Sequence, residues 1–263
     1  MCILSYLPSN TPADYEGLFN GGINNPDGHG WAIVAGRAII MGKSLDVVEA
    51  LDEFTDARKR YPDGPALFHS RWATHGSVRI NNVHPFLVGG SHRTVVAHNG
   101  ILPKAAHPEA GDDRSDTRKF ADEILSRRYR RLDRSGVQQA LSQWCGKSNK
   151  LCILTVDRRY RNSAYLINEE AGNWDETTGI WHSNSDYLDY PKWAHTAPPV
   201  ASRLVAATVP DDRCQLCGCG LVDRNGYCNE CRSCQDCLEH VRDCMCWNRR
   251  LQGASQWAWV KEN

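Results

Sequence analysis

Through its first two thirds the chain alternates short apolar runs with polar, turn-rich stretches. Segments 3–7, 31–35, 66–70, 94–98, 151–156 and 164–168 are five or six residues long and either apolar or alternating, the pattern of strands. Three other stretches carry apolar residues at helical spacing. Segment 44–59 offers Ser44 as an N-cap and Leu45, Val48, Leu51 and Phe54 along one face. Segment 115–128 carries Phe120, Ile124 and Leu125, and 136–144 reads as a third helix. Strands in clusters, interrupted by helices, predict an α+β arrangement of sheets covered by helices in layers.

The pattern breaks near 198–212, where Ala-Pro-Pro-Val and then Pro210-Asp-Asp interrupt it. A boundary near 208 gives a domain of residues 1–208 and a module of residues 209–263. The module is too short for a self-sufficient core and needs staples. Its cysteines supply them: of 12 in the chain, nine lie between Cys214 and Cys246. Cys214-x2-Cys217 and, ten residues on, Cys228-x2-Cys231 have the layout of a zinc ribbon, in which two thiolate pairs close a tetrahedral site. Cys234, Cys237, Cys244 and Cys246 form a second set, with His240 as an alternate ligand. One or two structural zinc ions are the expectation. An iron–sulfur cluster is the alternative, because four thiolates serve either.

Composition narrows the field of functions. With 263 residues, 41% hydrophobic and 24% charged, the chain is an ordinary globular protein. Its formal net charge of zero gives no global reason to expect nucleic acid or a membrane surface as partner. The basic run 127–134 reads as the solvated end of a helix. No apolar stretch approaches the length of a membrane span, and the first residues lack a basic n-region. Clustered rather than spread cysteines favour metal over disulfides. These features together predict a cytoplasmic location.

Cys2 is the residue with the clearest chemistry. Removal of Met1 leaves a thiol and a free α-amine on one residue, a nucleophile beside a base whose reference pKa is about 7.7–8.0. Attack on an amide also needs oxyanion donors, and an amino-acid substrate needs a cation for its carboxylate and an anion for its ammonium. Asn99 with the Gly100 N–H can serve as donors, Arg71 can fork a carboxylate, and Asp116, at a helix start, can hold an ammonium. Each element has a bland alternative: Asn-Gly is a common hairpin turn, Asp116 a helix-start charge, Arg71 an ion-pair partner and Asp27-Gly28 a turn.

In combination, Met-Cys at the start, His69-Ser-Arg-Trp-Ala-Thr-His-Gly76, His98-Asn-Gly-Ile101 and Ser115-Asp-Thr117 resemble the class II, N-terminal-nucleophile glutamine amidotransferase domain, and its small stand-alone members most. The likeness covers residues 2–185. It implies a four-layer αββα sandwich, Cys2 as nucleophile with its α-amine as base, and Asn99 and Gly100 as oxyanion hole. It further implies that Arg71 grips the substrate carboxylate, that Asp116 holds its amine, and that Trp72, Thr74, His75 and His84 line the pocket. Segment 181–185 falls where the family has a late strand near the site. The reaction implied is hydrolysis of the glutamine side-chain amide through a γ-glutamyl thioester, with ammonia passed to a partner synthase. A γ-glutamyl amide hydrolase acting on a larger compound, or an inert zinc-containing scaffold, stands as the alternative.

A metallohydrolase is the rival suggested by histidine content, since six of the ten histidines fall between His69 and His107. Their spacing matches no compact ligand pair. His29 and His98, on strands beside motif residues, read equally as pocket lining or core.

Overall fold

In the computed structural model, which describes residues 2–73, 77–188, 228, 230 and 232, the strands pair into two antiparallel sheets. The chain divides into two compact units, Met1–Asp189 and Tyr190–Asn263. The boundary expected near 208 lies outside the described residues.

In the first unit β1 (Ile3–Leu7), β2 (His29–Ala35), β3 (Ala38–Ser44), β4 (Ala66–Ser70), β9 (Asn173–Trp174) and β10 (Trp181–His182) form one sheet, in the order β3-β2-β4-β1-β10-β9. The second sheet joins β5 (Phe86–Val88), β6 (Ser91–Asn99), β7 (Lys150–Thr155) and β8 (Ala164–Ile167) in chain order.

Alternation along these strands gives each sheet two apolar faces. Leu4, Ala32, Val34, Leu67 and Trp181 of the first sheet pack with Val95, Ala97, Cys152 and Leu154 of the second. The opposite face of the first sheet, Leu7, Trp31, Ile33 and Phe68, packs on Leu18 of α1 (Tyr15–Asn24) and on Leu51 and Phe54 of α2 (Val47–Arg60). The opposite face of the second, Val96, Leu151 and Ile153, packs on Phe120, Leu125 and Leu141. Phe120 and Leu125 come from the π-helical turn Phe120–Leu125, which joins α3 (Asp116–Lys119) to α4 (Ser126–Arg128), and Leu141 comes from α5 (Ser135–Cys145).

Helix α2 corrects the reading of 44–59. Asp46, not Ser44, is the N-cap, its carboxylate accepting the Val48 and Glu49 N–H groups. Ser44 instead ends β3 opposite His29. Leu45 then falls outside the helix, and Leu45 and Val48 are exposed; Ala50, Leu51, Phe54 and Ala57 make the buried face. Helix α1 had no sequence signal, because glycine and asparagine are poor helix formers. Its glycines are set by proximity: a Cβ on Gly22 would stand 2.2 Å from Val47 Cγ2.

Register brings the functional segments to one end of the sheets. Ile3 pairs with Ser70, so Cys2 meets the chain leaving β4. Ser5 pairs with His182, so the chain leaving β10 passes the same point. Of the second unit, Glu230 N–H donates to Cys228 Sγ at 3.3 Å, and Arg232, with φ 58°, donates its N–H to Cys228 O at 3.0 Å.

Candidate active site

Cys2, Arg71, Trp72, His84, His98, Gly100, Ser115, Asp116 and Thr117 line one cleft. The thiol sits on the backbone of Trp72: Trp72 N–H donates to Sγ at 3.4 Å, and Sγ lies 3.6 Å from Trp72 O. Burial pushes the thiol pKa up; the Trp72 N–H, the chain terminus and Arg71 pull it down, and Asp116 pushes it up. Burial is the largest of these effects and favours the neutral thiol. Its carbonyl is fixed from outside the strand, since Asn184 Nδ2 donates to Cys2 O at 2.9 Å.

The loop after β4 is braced by the turn before β2. Asp27 N–H donates to Arg71 O at 2.9 Å, Arg71 N–H donates to Gly28 O at 2.8 Å, and Asp27 Oδ2 accepts the Ala73 N–H at 2.7 Å. Asp27-Gly28 is thus more than a turn: it sets the path that carries Arg71 and Trp72 past the thiol. Arg71 is buried and its Nη1 donates to Ser77 O at 3.0 Å. Asn82, also buried, donates to Ser77 O at 3.3 Å and to Asp113 O at 2.9 Å, while its Oδ1 accepts the Ser115 N–H at 3.0 Å. One asparagine therefore ties the Arg71 loop to the start of α3, where Asp116 sits. Nothing in the sequence around Asn82 marks this; its role is visible only in three dimensions.

Asp116 faces the cleft with its carboxylate partly engaged. Oδ2 accepts the Leu102 N–H at 3.0 Å, and Oδ1 accepts the Thr117 N–H at 2.6 Å. Asn99 ends β6 fully buried, its Nδ2 donating to Ser183 Oγ at 2.8 Å. Gly100 takes φ 142°, and a Cβ there would lie 2.3 Å from Asn149 Oδ1. Both the backbone angle and the close neighbour require glycine.

Three buried histidines form the wall behind the cleft. His69 Nε2 donates to His98 O at 3.0 Å and stands 2.7 Å from His84 Nδ1, which is therefore a bare acceptor. Neutral His84 then carries its proton on Nε2. His98 Nε2 donates to Asn149 Oδ1 at 2.8 Å, and its Nδ1 lies 2.9 Å from Thr117 Oγ1. Burial lowers the pKa of all three. His29 is core, bonded to Ser70 Oγ at 3.0 Å. Among the described residues no group of three or more histidine, cysteine or acidic side chains is placed to hold a metal. Thr74, His75, Cys214, Cys217, Cys231, Cys234, Cys237, Cys244 and Cys246 lie outside the described residues.

No family model matches the chain. Individual proteins do. Over 91 residues it is 35% identical to the glutamine–fructose-6-phosphate aminotransferase (isomerizing) of Corynebacterium diphtheriae, a match covering 35% of this chain and 14% of that one. The Corynebacterium efficiens enzyme of the same name is 40% identical over 88 residues, covering 33% of this chain and 14% of its own. By sequence, the chain resembles the class II glutamine amidotransferases. The match spans about a seventh of those relatives' length, 14% in both. Among solved structures, glutamine phosphoribosylpyrophosphate amidotransferase from B. subtilis, complexed with ADP and GMP, aligns with a TM-score of 0.45 and 18% identity, covering 69% of this chain and 41% of that one. A glutamine aminotransferase class-II domain protein from Silicibacter pomeroyi aligns with a TM-score of 0.36 and 14% identity, covering 69% and 87%. Likeness at these scores is too distant to carry an argument.

Proposed function

We propose that this chain hydrolyses the side-chain amide of glutamine through a thioester on Cys2, releasing ammonia for a partner synthase. The observation that carries this reading is the placement of the Cys2 thiol against the Trp72 N–H in a cleft shared with Arg71 and Asp116. Arg71 receives the α-carboxylate and Asp116 the α-ammonium, which directs the side-chain carbonyl to the sulfur. The free α-amine left after Met1 removal takes the thiol proton. Asn99 Nδ2 and Gly100 N–H receive the oxyanion, and ammonia leaves with the returned proton. Water then attacks the thioester, and glutamate departs. Trp72 and His84 line the cleft, and Thr74 and His75 are assigned to the pocket by the likeness in sequence alone. The order of the three cores, helices on sheet on sheet on helices, supports a four-layer αββα sandwich of the N-terminal-nucleophile type.

The test is ammonia release from glutamine by the wild-type chain, Cys2→Ala and Cys2→Ser. Loss of at least about a thousandfold in both variants, with the circular-dichroism melt unchanged, is expected from removal of a covalent nucleophile; full activity in Cys2→Ala refutes the reading. A larger γ-glutamyl amide stands as the second substrate class, because Arg71 and Asp116 grip only the γ-glutamyl head. Comparing kcat/KM for glutamine and γ-glutamyl anilides separates the two.

The cysteine-rich module is proposed to hold one or two structural zinc ions on Cys214, Cys217, Cys228 and Cys231, and on Cys234, Cys237, Cys244 and Cys246. The turn after Cys228 fits a thiolate, since the Glu230 N–H points at its sulfur and favours the charged form. Bound zinc would supply cross-linking of a segment too short for its own core. Metal analysis giving at least one zinc per chain in a colourless protein supports this; absence of zinc, or visible iron–sulfur absorbance, overturns it. A reducing, cytoplasmic location agrees with the free thiols of Cys2, Cys145 and Cys152. No helix among the described residues is long and apolar enough to cross a membrane.

A further inference from the structure

The oxyanion donor is held by a residue that the reaction does not otherwise use. Asn99 and Ser183 are each 1% exposed, and their side chains meet at 2.8 Å, Asn99 Nδ2 to Ser183 Oγ. Ser183 Oγ also accepts the Leu4 N–H at 2.9 Å, and Ser183 N–H donates to Leu4 O at 2.8 Å. Two donors on one hydroxyl oxygen leave its own proton without an acceptor among the described residues. At the other corner of the amide, Asn99 Oδ1 is buried with no partner. A buried acceptor and a buried donor both left unmade are costly.

A half-turn of the Asn99 amide about Cβ–Cγ preserves its shape and gives the Ser183 proton and Oδ1 each a partner, leaving only the NH2 group unpaired. Ser183 O–H then donates to Oδ1 while still accepting from Leu4. The NH2 group moves to the corner where Oδ1 had no partner, as a donor with no acceptor among the described residues. The next residue, Asn184, donates to Cys2 O at 2.9 Å. One dipeptide after β10 therefore touches both the nucleophile's backbone and the amide that answers it.

We propose that Ser183 is a positioning residue: its hydroxyl holds Asn99 Oδ1, so that the amide NH2 is the group left to meet the negative charge developing on the substrate carbonyl. This rests on the thioester reaction proposed above. No bond is made to Ser183, and its proton stays on its oxygen throughout.

The experiment uses the full chain with glutamine, with glutamate as ground-state ligand, and with the open-chain form of glutamate γ-semialdehyde, whose adduct with the thiol places an oxyanion at the same point. Removing a single oxyanion donor costs about 10²–10³ in kcat, and loosening one should cost about 10- to 100-fold. Ser183→Ala is expected to lose that factor in kcat and in aldehyde affinity, with KM and glutamate affinity within about twofold. Ser183→Thr, which keeps the hydroxyl, restores most of kcat. In the ¹⁵N-labelled wild type, the Asn99 side-chain amide protons shift on forming the aldehyde adduct, a readout that holds even if the alanine variant does not fold. An unchanged kcat in Ser183→Ala, equal damage to all four constants, or an unshifted Asn99 amide overturns the inference. A wild type with neither amidase activity nor an aldehyde adduct overturns the reaction itself, an outcome distinct from an active enzyme indifferent to Ser183.

Discussion

Mild acid should destabilise this protein, and the size of the effect follows from its buried imidazoles. His29 and His182 are 2% and 0% exposed, and burial takes each from an ordinary 6.5 down to about 4. Asp46 and Asp27 act against the shift at His29, and Asp175 acts against it at His182, without cancelling it. A folded pKa below the unfolded one means that the unfolded chain binds protons first. Stability is thus whole above 6.5 and lost as pH falls from there toward about 4. At pH 5, about 1.5 units below the unfolded value, each ring costs roughly 2 kcal/mol, or about 4 kcal/mol for the pair. His69, His84 and His98 are shifted in the same direction, so the pair sets a floor. Against a total of about 5–15 kcal/mol, that floor is a large fraction. Asp112, whose carboxyl the Arg114 guanidinium holds down near 2, titrates well below this window. The assay is urea unfolding at constant ionic strength from pH 7.5 to 5. A midpoint that falls with constant m, and falls less in His29→Gln, agrees with the argument. A midpoint that is flat or rises toward pH 5 refutes it.

Three substitutions probe the site and its support. Asn82→Ala removes the tie between the Arg71 loop and α3 and leaves the Ser115 N–H without its acceptor, so KM for glutamine should rise about tenfold and stability fall by about 1–3 kcal/mol, read by kinetics and urea unfolding. Gly100→Ala forces a Cβ to 2.3 Å from Asn149 Oδ1 at φ 142°, and ammonia release should drop at least about a hundredfold while glutamate binding, followed by calorimetry, survives. Phe54→Ala empties the core under α2, far from the thiol; it should cost about 3–5 kcal/mol in unfolding free energy with kcat unchanged below the new melting point.

How much of this was legible in the sequence depended on whether the signal was local. Strands β1 and β4 were found with their bounds, because short runs rich in apolar residues, one ending before Pro8 and the other starting after Pro65, need no tertiary information. Strand β3 was not, since its residues are largely half-buried and Gly42 lies against the Trp31 ring. Helix α2 was found but started early, because Ser44 and Asp46 are both capping residues and only the pairing of Ser44 with His29 decides between them. In the cleft, Cys2, Arg71, Trp72, His84, Gly100 and Asp116 announce themselves by residue type and motif. Asp27, Asn82 and Ser183 do not. They act on backbone groups or amides far away in sequence, and an isolated asparagine or serine carries no trace of a partner many residues distant.

In the proposed reaction, the distance between nucleophile and oxyanion donor is a property of the sheet pair rather than of any loop. Cys2 precedes β1 and Ser183 follows β10 on one sheet, whereas Asn99 closes β6 on the other. Their separation is therefore set by the side chains between the sheets. There, Ala97 pairs with Cys152, and both pack against the Leu4–Trp181 side of the core. Small residues at those two positions let the sheets approach, while Leu4, which donates its N–H to Ser183 Oγ and accepts the Ser183 N–H at its carbonyl, fixes the height at which Asn99 is met. A well-packed core resists compression, so in the proposed reaction the thiol and the Asn99 amide would be held at a fixed separation before substrate arrives, leaving little reorganisation for the transition state.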